Sequence, residues 1–118
     1  MAGVITNKIV AVLAQEQDLG WIGESLKETS VELTYAASVQ EVMDTAEMVV
    51  LLDADAHDWH SAVDEIHQRK PEARVVLLSQ HADGQMRKTV LEGGAYDLCA
   101  KPCQPRGFQS IILGALSS

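Results

Sequence analysis

The sequence predicts an α/β protein in which helices cover both faces of a five-stranded parallel sheet. Five apolar runs alternate along the chain with five segments of helical periodicity. The central run, Met48–Leu52, contains no polar residue, which is typical of a strand that is buried on both faces. Regular alternation of strands and helices favours parallel strands joined by right-handed crossovers. We therefore expect one doubly wound domain over residues 1–118.

Each element is predicted from the spacing of its apolar residues. Short apolar runs give the strands, which are expected at Lys8–Leu13, Val31–Tyr35, Met48–Leu52, Val75–Leu78 and Tyr96–Cys99. Between these runs the apolar residues recur every three or four positions, which places them on one face of a helix. The expected helices cover Asp18–Glu28, Ser38–Asp44, His57–Arg69, Asp83–Gly93 and Pro105–Leu116.

Capping residues predict where two helices begin, and apolar stripes predict which helix faces are buried. Ser38 with Glu41 three residues later is a capping box, and Asp83 is a suitable N-cap for the fourth helix. The final helix carries a continuous stripe of Phe108, Ile111, Ile112, Ala115 and Leu116, which we expect to pack on the sheet. Trp21 falls off the apolar stripe of the first helix. We therefore expect it to be exposed, as a modest indication of a partner surface.

Composition excludes several classes of function. A formal net charge of −8 opposes binding to nucleic-acid phosphates and adsorption to anionic membranes. No signal-peptide pattern opens the chain, and no apolar stretch approaches the ~20 residues that span a bilayer. The two cysteines, Cys99 and Cys103, form neither a CxxC motif nor a zinc site. We expect reduced thiols and a cytoplasmic location.

Polar residues end three of the apolar runs. Asp53 follows the third run, Ser79 follows the fourth, and Lys101 follows the fifth. The carboxyl ends of parallel strands meet at one edge of the sheet, so these side chains should converge there. We expect the Lys101 ammonium to lie within about 4 Å, the usual limit for an ion pair, of Asp53 or Asp55.

With these residues the chain resembles the receiver domain of bacterial two-component response regulators. The resemblance covers nearly the whole chain and is strongest in MVVLLD (48–53), ARVVLLS (73–79) and EGGAYDLCAKP (92–102). It implies a flavodoxin-like fold with strand order 2-1-3-4-5. It also implies that Asp53 is the phosphoacceptor, that Ser79 reorients onto the phosphoryl group, and that Lys101 pairs with it. The peptide between Lys101 and Pro102 would be cis, and the chain could be the first domain of a longer regulator.

The chain departs from this family where a metal would bind. Receivers carry two acids after the first strand that hold Mg²⁺, whereas the corresponding residues here are Leu13 and Ala14. Their side chains supply none of the oxygen ligands that Mg²⁺ requires. The nearest acids, Glu16 and Asp18, are expected in or near the first helix. Because phosphoryl transfer needs a cation to neutralise developing charge, we expect phosphorylation to be lost or much reduced.

Four further departures favour the same interpretation. Asp55 adds negative charge where a phosphoryl group would lie, and the loop after Asp53 is about two residues shorter than is usual in the family. Gln80 stands where the family prefers a small residue. Leu98 replaces the aromatic residue whose movement accompanies activation.

The leading hypothesis is an atypical receiver that signals by protein–protein contact and is not an enzyme. It would need no cofactor and would bind a sensor kinase, an output domain or another partner protein, with a homodimer as a further possibility. Its expected contact surface lies around the fourth and fifth helices, at Met86, Arg87, Lys88 and Arg106. The alternative is a phosphorylation-competent receiver with Asp53 as the Mg²⁺-dependent phosphoacceptor.

Weak metal binding is expected at most at Asp53 and Asp55, although under the alternative Glu16 or Asp18 could also serve as a ligand. The wider acidic loop with His57, Asp58 and His60 is typical of a solvated loop that caps the next helix. A flavin carrier on the same fold would need a phosphate-binding loop rich in glycine and hydroxyl groups after the first strand. Residues 14–18 have neither.

Overall fold

A parallel sheet of five strands forms the centre of the computed structural model, which describes residues 7–12, 16–55, 58–101 and 103–117. The strands are β1 (Lys8–Val12), β2 (Glu32–Tyr35), β3 (Val49–Asp53), β4 (Arg74–Ser79) and β5 (Asp97–Ala100). Their order is β2-β1-β3-β4-β5, and every neighbouring pair is parallel. The predicted fold class and the strand order implied by the resemblance are both confirmed.

The helices alternate with the strands as predicted. They are α1 (Glu16–Leu26), α2 (Val39–Met43), α3 (Trp59–Arg69), α4 (Gly84–Glu92) and α5 (Pro105–Ser117). The Ser38 hydroxyl accepts a hydrogen bond from the N–H of Glu41 at 3.3 Å, and Asp83 accepts one from the N–H of Met86 at 2.7 Å. Both predicted caps are confirmed. The Glu41 carboxylate reaches back to the N–H of Ala37, one residue before the cap.

Two apolar clusters lie on opposite faces of the sheet. Alternate residues of a strand point to opposite faces, so Val50 and Leu52 of β3 join one cluster while Val49 and Leu51 join the other. Helices α2, α3 and α4 contribute their buried residues to the first cluster, and α1 and α5 contribute theirs to the second. The doubly wound arrangement therefore gives each helix one buried stripe. None of the described helices has the length and apolarity that a membrane crossing requires.

Two side chains are less exposed than the sequence predicts. Trp21 is partly buried and makes an edge-to-face contact with Phe108, with ring centroids 5.2 Å apart. The prediction of an exposed Trp21 was wrong because α5 lies beside α1 and covers the flank of its stripe. Met86 packs against the first cluster instead of facing outward with Lys88. Successive residues of a helix project in different directions, so they do not all reach solvent.

The stripe of α5 allows a test of how this helix docks. Phe108 and Ile112 are fully buried, whereas Leu113 of the same helix is 42% exposed. Phe108→Ala and Ile112→Ala should each lower the free energy of unfolding by about 2–5 kcal/mol, because each leaves a cavity in the core. Urea denaturation measures the change. Leu113→Ala is the matched control, and losses below about 0.5 kcal/mol in the first two variants would show that α5 docks by another face.

Candidate functional site

The three polar residues at the strand ends meet at the carboxyl edge of the sheet, as the sequence predicts. Asp53 ends β3, Ser79 ends β4, and Lys101 directly follows β5. All three are buried, with exposures of 1%, 0% and 9%. The N–H of Lys101 donates to the carbonyl oxygen of Ser79 at 3.0 Å, which continues the pairing of β4 with β5 to this point. The parallel register therefore brings these residues together.

The Lys101 ammonium lies among three carboxylates. Its Nζ is 2.6 Å from Asp53, 3.4 Å from Asp18 and 3.9 Å from Asp55. The predicted ion pair is confirmed. Burial lowers the pKa of Lys101, but the hydrogen bond and charge of Asp53, together with Asp18, outweigh it and hold this pKa above its usual value. The lysine is therefore a permanent cation in the site.

Asp18 is the site residue whose position the sequence did not reveal. Its side chain is 8% exposed and reaches the site from the first turns of α1. One carboxylate oxygen accepts a hydrogen bond from the Trp21 indole N–H at 3.1 Å, and the other faces Lys101. Asp18 lies four residues before the fully buried Ile22. An acid on the buried face of an amphipathic helix was the signal that could have identified it.

The Asp55 carboxylate occupies the hydrogen-bond donors at the end of β4. One of its oxygens accepts from the Ser79 hydroxyl at 2.6 Å, and the other accepts from the N–H of Gln80 at 2.8 Å. The Ser79 oxygen in turn accepts from the N–H of His81 at 2.9 Å, so its hydroxyl is oriented. We call the Ser79 hydroxyl, the Gln80 N–H and the Lys101 ammonium the anion site. The structure shows this site filled by a side chain of the same protein.

The electrostatics of Asp55 follow from these contacts. Burial raises the pKa of Asp55, but the Gln80 N–H, the Ser79 hydroxyl and the charge of Lys101 lower it further than burial raises it. Its net pKa is below the ordinary value, so the carboxylate is charged near neutral pH. The N–H of Asp55 also donates to Asp53 at 2.9 Å, which fixes the turn after β3.

The carboxylates do not fit the divalent cation that the resemblance implies. Both oxygens of Asp53, Asp55 and Asp18 already face an N–H, an O–H or the Lys101 ammonium. An ammonium within 3.9 Å of all three groups opposes a second cation there. Within the described residues, no cluster of three His, Cys, Asp or Glu side chains has the geometry to hold a metal ion.

The other predicted site residues have separate roles or lie outside the described residues. Asp58 caps α3 through Ser61, and His60 lies near Asp64 on the surface, so the acidic loop does not assemble a metal cluster from these two. Leu13, Ala14, His57 and Pro102 fall outside the described residues, as does the peptide predicted to be cis. A cavity of about 240 Å³, lined by Gln17, Asp18, Trp21, Gln80 and Lys101, opens beside the ammonium.

The residues predicted for partner contact lie on α4 and α5. Lys88 and Arg106 are exposed. The Arg87 guanidinium is 3.1 Å from Asp97 of β5, which connects α4 to the sheet edge. Leu91 of α4 and Leu113 of α5 expose 41% and 42% of their surfaces.

Comparison with solved structures places the fold. No protein-family model and no curated protein sequence matches the chain. A response regulator from Thermotoga maritima is 18% identical with a TM-score of 0.83, covering 97% of this chain and 100% of that chain. The beryllofluoride-activated NtrC4 receiver domain dimer is 19% identical with a TM-score of 0.83, covering 95% of this chain and 98% of that chain. NtrX from Brucella abortus, solved in complex with ADP, is 24% identical with a TM-score of 0.82, covering 96% of this chain and 26% of that chain.

These similarities confirm the resemblance at the level of the fold. The chain has the fold of response-regulator receiver domains, a five-stranded flavodoxin-like sheet with the site at its carboxyl edge.

Removal of the Lys101 charge should destabilise the whole domain. In Lys101→Met the nearly isosteric side chain leaves Asp53 and Asp18 buried without a counter-charge, and the free energy of unfolding should fall by about 3–5 kcal/mol. Urea denaturation measures this loss, with the exposed Lys88→Met as control. A loss below about 1 kcal/mol would show that the carboxylates do not depend on the ammonium.

The lowered pKa of Asp55 predicts a stability difference that depends on pH. Asp55 contributes stability above its ordinary pKa of 3.8, and this contribution is lost as the pH falls through its lower folded value. Wild type should exceed Asp55→Asn by about 1 kcal/mol at neutral pH, a value reduced for partial solvent exposure. Urea denaturation at several pH values should show this gap closing below pH 3.8. A gap that is independent of pH would contradict the hydrogen bonding described for the anion site.

Proposed function

We propose that this protein is a receiver-type signalling module that acts through protein–protein contact and does not depend on phosphorylation of Asp53. One observation carries the proposal: the Asp55 carboxylate fills the anion site. The resemblance implies that Ser79 and Lys101 contact a phosphoryl group on Asp53 in a competent receiver. Here the Ser79 hydroxyl already donates to the Asp55 carboxylate, and the Lys101 ammonium already lies within 3.9 Å of three carboxylates.

Electrostatics oppose a phosphoryl group on Asp53. It would bring at least one more negative charge to a site where three carboxylates share one ammonium. A like charge at about 4 Å costs about 4 kcal/mol at the effective dielectric constant near a protein surface. The group would also have to displace Asp55 from its two donors. Without a divalent cation to offset these terms, phosphoryl transfer to Asp53 would be very slow.

The same contacts give Asp55 a positive role. A carboxylate that accepts from the Ser79 hydroxyl and the Gln80 N–H makes the kind of contact that a phosphoryl oxygen would make. It therefore holds the end of β4, where α4 begins a few residues later, in a single arrangement. In this proposal the chain itself supplies the anion, and its contact surface is formed at all times.

The proposed contact surface combines charge and apolar area on α4 and α5. Lys88 and Arg106 give this face a basic character within a chain of net charge −8. Leu91 and Leu113 provide exposed apolar area on the same two helices. A partner with an acidic rim around an apolar patch would match this face. A sensor kinase, an output domain, another cytoplasmic protein or a second copy of the chain would each meet this requirement.

Phosphorylation is tested by incubating the protein with acetyl phosphate and Mg²⁺ and recording its intact mass. Wild type should show no phosphate adduct, because the anion site is filled and the carboxylates do not fit the cation. Asp53→Ala is the control. An adduct that forms within minutes in wild type and is lost in the control would refute the proposal. It would support the alternative in which Asp53 is a Mg²⁺-dependent phosphoacceptor.

A fluorescence titration separates metal binding from phosphorylation. Trp21 donates directly to Asp18, so Mg²⁺ bound by Asp18 would change its emission. In Trp59→Phe, which leaves Trp21 as the only tryptophan, Mg²⁺ should cause no change below millimolar concentrations. Saturation in the micromolar range that Asp18→Asn abolishes would contradict the assignment of a metal-free site.

The contact surface is tested by reversing its charge. The double variant Lys88→Glu, Arg106→Glu should lose a partner that tagged wild-type protein retains in quantitative affinity capture. Lys27→Glu, an exposed residue that follows α1, is the matched control and should retain that partner. A partner that is lost only with Lys27→Glu would place the contact surface elsewhere.

A further inference from the structure

Two thiols lie in contact on either side of Lys101. Cys99 belongs to β5, Cys103 precedes α5, and their sulfur atoms are 2.8 Å apart as free thiols. A disulfide has an S–S distance of about 2.05 Å, so the two sulfur atoms need to approach by less than about 1 Å. Cys99 belongs to the apolar cluster that contains Phe108, and Cys103 packs against this cluster, so both residues are held in position.

We propose that Cys99 and Cys103 are a modification site that closes to an intramolecular disulfide when the protein meets a peroxide. The ring would enclose Lys101, the residue that holds the three carboxylates together. This inference goes beyond the proposed signalling role and does not depend on whether Asp53 accepts phosphate.

The surroundings of the two thiols differ and give the reaction an order. Cys103 is partly exposed and lines a groove between α1 and α5 with Trp21 and Gln109, so an oxidant can reach it. Cys99 is 2% exposed. Burial first, then the hydrogen bond and charge of Cys103, raise the pKa of Cys99. Cys103 is therefore the thiol that reacts first, because the oxidant can reach its sulfur, whereas burial keeps Cys99 in the neutral thiol form.

The chemistry balances with peroxide as the oxidant. The Cys103 thiolate attacks one peroxide oxygen: an S–O bond forms, the O–O bond breaks, and the departing hydroxide takes up a proton as water. The Cys99 sulfur then attacks the sulfur of the Cys103 sulfenic acid. An S–S bond forms, the S–O bond breaks, and the proton of Cys99 leaves with hydroxide as a second water. Two thiols lose two electrons, which the peroxide gains.

The contact between the two sulfur atoms favours the second step, in which the proton of the Cys99 thiol passes to the departing hydroxide. The resolving sulfur is already in contact, so no rearrangement of β5 is needed to reach it. Proximity of this kind makes ring closure faster than a second oxidation of Cys103.

Mass spectrometry of one tryptic peptide that contains both cysteines tests the proposal. Trypsin does not cleave a Lys–Pro bond, so Thr89–Arg106 is one peptide that holds both cysteines and no methionine. Reduced protein is treated with a small molar excess of hydrogen peroxide, denatured with N-ethylmaleimide, digested and weighed. The peptide should be lighter by two hydrogen atoms, carry no maleimide, and regain two maleimide-reactive thiols after dithiothreitol.

Serine variants distinguish the two roles. In Cys99→Ser, dimedone should trap a sulfenic acid on Cys103, which has lost its resolving partner. In Cys103→Ser, Cys99 should remain a maleimide-reactive thiol because it is buried. Wild type tests the proposal even if Cys99→Ser does not fold. A wild-type peptide that keeps two free thiols, reaches sulfinic acid, or joins two chains would overturn it.

Discussion

The buried Lys101 ammonium is the interaction on which the carboxyl edge of the sheet depends. Its Nζ lies 2.6 Å from Asp53, at the end of a strand, and is shared with Asp18, in a helix, and with Asp55, in a turn. Asp53 and Asp18 could not be buried at this point without it, because an unpaired buried charge is strongly unfavourable. The ion pairs therefore connect α1, β3 and β5 through one cation. Any change at this edge must keep the balance of charge among four side chains.

The anion site is occupied by a carboxylate of the same chain, which competes with any external anion. The Ser79 hydroxyl and the Gln80 N–H would donate to any oxyanion, but the short turn after β3 holds the Asp55 carboxylate beside them. Its effective concentration there exceeds that of any free anion in solution. A free anion would therefore have to displace the Asp55 carboxylate before it could bind the same two donors.

The ion pairs of Lys101 and the two thiols both lie next to the packing of α1 on α5. Trp21 donates to Asp18 on one side and contacts Phe108 of α5 on the other. Cys103 packs against the cluster that contains Phe108, while Cys99 lies two residues before Lys101 in the chain. A covalent bond between the two sulfur atoms would act on the segment that presents the ammonium. The packing of α1 on α5 therefore supports both the electrostatic site and the proposed modification site.

The residue pattern was enough to predict the strand–helix alternation, the two caps at Ser38 and Asp83, and the meeting of Asp53, Ser79 and Lys101. These features depend on local periodicity and on the fact that parallel strands end at one edge. The resemblance supplied the strand order. The place of Asp18 in the site follows from the folded arrangement, since it requires the angle at which α1 crosses the edge. The folded arrangement also sets the contact of Asp55 with Ser79, the partial burial of Trp21 and Met86, and the approach of the two cysteines. Each of these depends on distances between elements, which spacing along a chain does not fix.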